Sequence, residues 1–143
     1  MKPVLEWETP FAAAHRGSRI LWPENTMPAF QGAHDLGYRV IETDLNATSD
    51  GVLLTFHDTT LDRCTDRSGK VADYSLADLA DVDAAHHFAD WDEVVAIPTF
   101  EEVVTAFPDT AFVLDMKAPE LEQLLADAIA TFDLWDRVIV GSF

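Results

Sequence analysis

The sequence predicts an α/β fold, the first part of a (β/α) barrel, truncated to about five strands with an irregular insertion after the third. Three observations predict it. Short apolar runs alternate with amphipathic stretches of helical period, the pattern of strands joined by helical crossovers. The chain has 143 residues, enough for one domain but well short of the roughly 250 of a closed eight-stranded barrel. Ionisable residues collect where the apolar runs end, and parallel α/β sheets bind their ligands at that edge.

The first apolar run covers 11–15 and ends at Gly17, before a turn-rich stretch through Trp22 and Pro23. A helix is expected over 26–36, with Asn25 as its N-cap and Gly37 just past its end. The second strand is expected over 39–45. The third follows over 52–56, after a Ser49-Asp50-Gly51 turn. Residues 58–97 read as irregular, apart from a short helix over 75–82 that Ser75 would cap. Thr99-Phe100-Glu101-Glu102 has the spacing of a capping box and opens a helix ending near Phe107. A fourth strand is expected over 111–116. The helix over 119–132 carries Leu121, Leu124, Leu125, Ala128 and Ile129 on one face, and a fifth strand covers 137–143. The whole of 1–143 reads as a single, partial barrel domain.

Nine Lys and Arg stand against 26 Asp and Glu, a net charge of −17. Such a chain lacks the basic face that a nucleic acid or an anionic membrane requires. Apolar residues make up 48%, which argues for a packed core rather than disorder. A single cysteine, Cys64, excludes an internal disulfide and a multi-cysteine zinc site, and it reads as an inert thiol. No apolar run reaches 18 residues and the first ten carry no signal-peptide core. The expectation is a soluble, cytoplasmic protein with no integral membrane segment.

Four expected strands end in polar residues: His15-Arg16, Glu42-Thr43-Asp44, His57-Asp58 and Asp115-Met116-Lys117. Glu42 and Asp44 project from one strand face because side chains alternate. Alone, such a pair reads as solvated strand-end charge. With Asp115 at the same edge, the three carboxylates repel unless a cation lies between them, and oxygen ligands of this kind suit Mg²⁺ or Ca²⁺. His15 and His57 would then stand beside a metal, where one imidazole can take a proton and another give one. That pairing suits hydrolysis of a phosphoester, with Arg16 and Lys117 available to bind the phosphate. His34 reads as a surface residue, and His86 and His87 as parts of a solvated loop.

These motifs together resemble the glycerophosphodiester phosphodiesterase family. The similarity runs from His15-Arg16-Gly17 through Pro23-Glu24-Asn25-Thr26, Ala29-Phe30 and Gly37 to Ile41-Glu42-Thr43-Asp44 and Thr48-Ser49-Asp50-Gly51. It continues with His57-Asp58, Leu61-Asp62-Arg63, Gly69, Ile97-Pro98-Thr99-Phe100-Glu101-Glu102, Asp115-Met116-Lys117 and Ser142-Phe143. The resemblance implies a metal-dependent TIM barrel in which 58–97 is the family's insertion. It implies cleavage of glycerophosphodiesters, such as deacylated phospholipids of lipid metabolism, to glycerol 3-phosphate and an alcohol. By the same resemblance His15 and His57 are the acid–base pair. Glu42, Asp44 and Asp115 hold the Mg²⁺ or Ca²⁺, and Arg16 and Lys117 contact phosphate. The family carries Glu where Asp115 stands, so the carboxylate here is one methylene shorter. Two other readings accompany this one: an inactive fragment or pseudoenzyme that binds a cation or phosphate ester without turnover, and the same chemistry on lysophospholipid-like lipids. A sheet of five strands also leaves open edges, at 11–15 and 137–143, so the chain is expected either to self-associate through them or to be loosely packed and only marginally stable.

Overall fold

Alternation along the strands divides the sequence into a face for helices and a face for polar chemistry. The computed structural model describes residues 2–142. It has strands β1 (Ala13–His15), β2 (Val40–Ala47), β3 (Leu53–Thr55), β4 (Ala111–Met116) and β5 (Val138–Ser142). Its helices are α1 (Met27–Asp35), α2 (Phe100–Ala106) and α3 (Glu122–Thr131). Strands β1, β2, β4 and β5 lie side by side in that order, all parallel, and β3 pairs antiparallel with β2.

One face of this sheet is apolar apart from the buried Thr43, whose hydroxyl donates to Asn25 Oδ1. Ala14, Ile41, Leu45, Phe112 and Leu114 are buried with Phe30 and Ala33 of α1, Phe100 and Val103 of α2, and Leu125 and Ile129 of α3. The residues between them point the other way. At the N-terminal end of that second face, Val40 and Ala111 pack with Val4 from the chain's start, and Val113 and Ile139 lie against them. Further along the same strands the alternate positions become Glu42, Asp44 and Asp115. The second face therefore passes from a small apolar plug to a carboxylate cluster within a few residues.

Helix α1 starts where its cap chemistry is best. Thr26, not Asn25, is the N-cap, and its Oγ1 accepts the Ala29 N–H. Asn25 stands one residue earlier with φ +57 and turns its amide into the sheet. At the other end the Gly37 and Tyr38 N–H groups bond the His34 and Ala33 carbonyls, a Schellman closure that uses Gly37 at φ +90. Helix α2 has the expected capping box between Thr99 and Glu102. Helix α3 begins at Glu122 rather than near 119, because Glu120 at φ +65 interrupts the helical path.

Strand β3 departs from the pattern of parallel crossovers. Only residues 48–52 separate it from β2, far fewer than the dozen or so that a parallel return needs. The Val52 N–H bonds Thr48 Oγ1 and the Thr48 N–H bonds the Val52 carbonyl, closing a hairpin. The chain then descends beside β2 until the Phe56 N–H meets the Asp44 carbonyl at 2.9 Å. His57 thus reaches the strand-end edge from above. Residues 58–97 carry short 3-10 turns at Val71–Asp73 and Ala77–Leu79 in place of the expected α-helix. They fold over a second apolar cluster that includes Leu54, Leu61, Val71, Leu79 and Val82. Among the described residues, no helix is long and apolar enough to cross a membrane.

The connection from β1 to α1 depends on Gly17, whose φ is +70. A Cβ there would sit 2.7 Å from the Ala29 carbonyl carbon in the first turns of α1. Gly17→Ala is expected to lower unfolding free energy by more than about 1 kcal/mol in urea titration, and an unchanged midpoint would contradict this placement.

Candidate active site

Parallel register sets the site. Asp44 on β2 is paired directly with Asp115 on β4, and Glu42 is paired with His15 on β1. One carboxylate oxygen from each of Glu42, Asp44 and Asp115 lies within 4.8 Å of the others. Asp44 is 1% exposed and Asp115 8%. Like charges directly opposite in a sheet repel, and burial weakens the screening that would relieve them. Glu42 responds accordingly: burial, and then the charge of Asp44, push its carboxyl above the ordinary range.

Two cations offset part of this charge. Lys117 hydrogen-bonds Asp115 Oδ2, and its Nζ is 3.3 Å from Asp44 Oδ1 at an angle too poor to satisfy that oxygen. Arg16 Nε lies 3.0 Å from Asp44 Oδ2, again in charge contact rather than hydrogen-bond alignment. Burial works against the Lys117 ammonium, yet its bond to Asp115 and the nearby charge of Asp44 hold it above its usual range. Asp44 Oδ1 and Asp115 Oδ1 are buried and have no hydrogen-bond partner. Buried carboxylate oxygens are costly to leave unsatisfied. Three carboxylates carrying two such orphaned oxygens form a hard, all-oxygen donor set that fits a Mg²⁺- or Ca²⁺-type ion.

The remaining expected site residues surround this cluster. His15 Nε2 is 3.8 Å from Glu42 Oε2, and the imidazole is largely exposed. Arg16 has φ +54, a left-handed conformation that strains a residue with a Cβ, and its N–H bonds both the Glu42 carbonyl and Glu42 Oε2. His57 Nδ1 is 2.5 Å from Asp58 Oδ1. Hydrogen bonding from Arg63 is the main influence on Asp58; it outweighs burial and, with His57, lowers the Asp58 carboxyl to about 2. An ionised carboxylate only accepts, so the proton sits on Nδ1 of His57 and Nε2 carries the free lone pair.

Several residues with positioning contacts are not among the site residues expected from the sequence. Asn25 Nδ2 donates to Asp44 Oδ2, its Oδ1 accepts from Thr43, and its carbonyl accepts from Thr55. Asn46 Nδ2 lies within bonding distance of the Phe56, His57 and Asp58 carbonyls and holds that turn against β2. The signal was present: Glu42, Asp44 and Asn46 are alternate residues, so one strand face carries three polar groups in succession. Glu24 bonds Arg16 at 2.8 Å and Arg63 at 2.7 Å. Burial pushes Glu24 up, but bonds from Arg63 and Arg16 prevail and bring it to about 2. His34, His86 and His87 are exposed, as expected. Burial pushes the Cys64 thiol up to about 11, which makes it a poor nucleophile. An apolar cavity of about 400 Å³ beside Trp7, Phe11, Leu36 and Tyr38 lies at the opposite ends of β1 and β2.

Residues 15–143, from His15 of this site onward, match the model of the Glycerophosphoryl diester phosphodiesterase family. The chain belongs to that family. It is 36% identical over 137 residues to the glycerophosphodiester phosphodiesterase of Caldanaerobacter subterraneus, an alignment covering 91% of this chain and 56% of the relative. The chain thus spans about half the length of the curated relatives it matches. Its fold is similar to a glycerophosphodiester phosphodiesterase from Agrobacterium tumefaciens, with TM-score 0.88 and 26% identity, covering 94% of this chain and 58% of that one. It is likewise similar to an Oleispira antarctica phosphodiesterase solved with its product sn-glycerol-3-phosphate, with TM-score 0.83, 28% identity and coverage of 94% and 57%. The α/β sheet is therefore of the TIM-barrel type that the sequence predicts.

The two depressed carboxyls predict an acid sensitivity. Glu24 and Asp58 have ordinary values of 4.5 and 3.8, both lowered to about 2 in the fold. Their contribution to stability is complete above the ordinary values and is lost as pH falls toward 2. Glu24→Gln removes one of these titrations. The drop in unfolding free energy between about pH 5 and pH 3 is then expected to be shallower than in the wild type, and equal slopes would contradict the ion-pair assignment.

Proposed function

We propose that the chain carries the catalytic half of a phosphoric diester hydrolase that converts glycerophosphodiesters to glycerol 3-phosphate and an alcohol. The observation that carries this reading is the pair of buried, unpartnered carboxylate oxygens on Asp44 and Asp115. They belong to an all-oxygen cluster flanked by two histidines and two cations. Family membership supplies the reaction class, and the product complex of the Oleispira antarctica relative supports the product. In this reading residues 58–97 are the family's insertion, folded over the His57 side of the site.

Glu42, Asp44 and Asp115 would hold a divalent cation, Mg²⁺ or Ca²⁺. When bound, such an ion draws charge from phosphoryl oxygens and so lowers the barrier to attack on phosphorus. Lys117 and Arg16 offset two of the three carboxylate charges, and both reach toward the space a phosphate would fill. The net charge of these five groups is 2 − 3 = −1. A dication makes it +1, which matches the single negative charge of a phosphodiester. His57, with Nδ1–H held by Asp58, presents Nε2 as a base or, once protonated, as an acid. His15 presents a second imidazole across the cluster. One removes the proton from the attacking hydroxyl, of water or of the substrate's own glycerol. The other delivers a proton to the departing alkoxide, so the alcohol leaves neutral.

Two outcomes are expected. EDTA removes glycerol 3-phosphate release from a deacylated phospholipid, Mg²⁺ or Ca²⁺ restores it, and the same ions raise the melting temperature by mass action. Replacing His15 or His57 by Ala lowers turnover by about 10²–10⁴-fold with the fold retained, whereas His34→Ala leaves it near wild type. Turnover that survives EDTA, or equal loss on changing His34 and His57, would overturn the reading. Cation binding with no turnover under any of these ions would favour a binding protein instead.

A further inference from the structure

The Arg63 guanidinium joins two carboxylates that belong to different parts of the chain. Its Nη1 and Nη2 bond Glu24 Oε2 and Oε1 at 3.1 and 2.7 Å, a two-pronged contact with the β1–α1 connection. Its Nε and Nη2 bond Asp58 Oδ2 and Oδ1 at 2.7 and 2.9 Å, a second two-pronged contact. Asp58 Oδ1 then takes the Nδ1–H of His57. Glu24 is fixed in turn by Arg16 Nη1 at 2.8 Å, with Arg19 Nε at 3.4 Å. An unbroken line of charged groups therefore runs from Asp44 through Arg16, Glu24, Arg63 and Asp58 to the His57 ring.

We propose that Arg63 is a positioning residue for His57, holding the Asp58 carboxylate in the one orientation that keeps the His57 proton on Nδ1 and leaves the Nε2 lone pair free. This rests on the reading of His57 as an acid–base group.

The physical argument is rotational. A carboxylate attached by a single methylene turns freely unless both oxygens are bound, and the other tautomer of His57 becomes accessible once Asp58 turns away. Arg63 binds both oxygens of Asp58 from the side. Glu24 binds the far edge of the same planar group, so the guanidinium itself cannot swing. Lys in its place supplies the charge but no fixed fork, and cannot hold two carboxylates in this geometry. Charge alone therefore does not replace Arg63. The contact also ties residues 58–97 to the β1 side of the site. Displacement of a catalytic group by about 1 Å costs on the order of 10²-fold in rate.

The test compares wild type, Arg63→Lys and Glu24→Gln. Nitrogen-15 NMR of the imidazoles reads the His57 tautomer in the chain without substrate, and steady-state kinetics on a deacylated phospholipid with Mg²⁺ reads kcat and KM. Expected are a single Nδ1–H tautomer in wild type, a mixture in Arg63→Lys, and a kcat lower by about 10–100-fold with KM nearly unchanged. Glu24→Gln, which keeps shape but weakens the fork, should show the same direction in smaller degree, and it decides the matter if Arg63→Lys does not fold. A wild-type tautomer and kcat in both variants would overturn the proposal. If the wild type shows no turnover at all, the phosphodiesterase reading fails, and the tautomer readout alone upholds or overturns the role of Arg63.

Discussion

Two aspartates facing each other across adjacent parallel strands dominate this structure. Asp44 and Asp115 are in register, both are buried, and each keeps one oxygen without a partner. A fold that places like charges side by side away from water gives up stability there, and something must compensate. The surroundings are organised around that need. Arg16 and Lys117 approach from neighbouring strand ends, Asn25 donates an amide to Asp44, and Glu42 extends the cluster on the same strand face. The apolar plug of Val4, Val40 and Ala111 lies below, so the charged half is anchored on a packed base.

The same constraint explains why polar loops hold unusual backbone shapes here. Arg16 and Asn25 both have positive φ, and the Asn25 N–H bonds the Arg16 carbonyl, so the two strained residues close one loop. Neither could adopt a relaxed conformation without moving a group that touches Asp44. Strain of about 1–3 kcal/mol at each such position persists only where the surroundings over-determine it. On the opposite side, the β2–β3 hairpin extends β2 beyond the carboxylates and then returns. Asn46 bonds the returning chain at three carbonyls. His57 is therefore delivered to the rim by a rigid hairpin that is tied to the strand carrying Glu42 and Asp44.

Much of this was legible in the sequence because local rules sufficed. The fourth strand occurs at 111–116 as expected, since its apolar run has clear limits on both sides. The Thr99–Glu102 box formed because cap and N3 partner are three residues apart and need nothing distant. The apolar face of α3 is buried as its period requires, with Leu121, Leu125 and Ile129 in the core. What alternation could not state was strand direction. β3 has the composition of a parallel strand, and only the five residues before it reveal the hairpin. Asn25 was misplaced as a cap because its type suits a helix start, while its actual partners, Thr43 and Asp44, are 18 and 19 residues away. The Glu24–Arg63 pair is 39 residues apart, and its geometry belongs to the tertiary fold alone. The site carboxylates were legible for the opposite reason: strand ends and side-chain parity are local facts, and together they place three acids at one edge.

A cation between Asp44 and Asp115 would offset the repulsion of this buried pair. Manganese titration followed by electron paramagnetic resonance tests it most directly, since Mn²⁺ occupies the same all-oxygen sites as Mg²⁺ and Ca²⁺. The comparison is between wild type, Asp44→Asn, Asp115→Asn and Asp127→Asn, the last changing an exposed acid of α3. Expected is a tight Mn²⁺ site in wild type and Asp127→Asn that is lost or greatly weakened in the other two. Equal Mn²⁺ binding by all four chains would show that the ion follows the overall negative charge, and would contradict a cation site there.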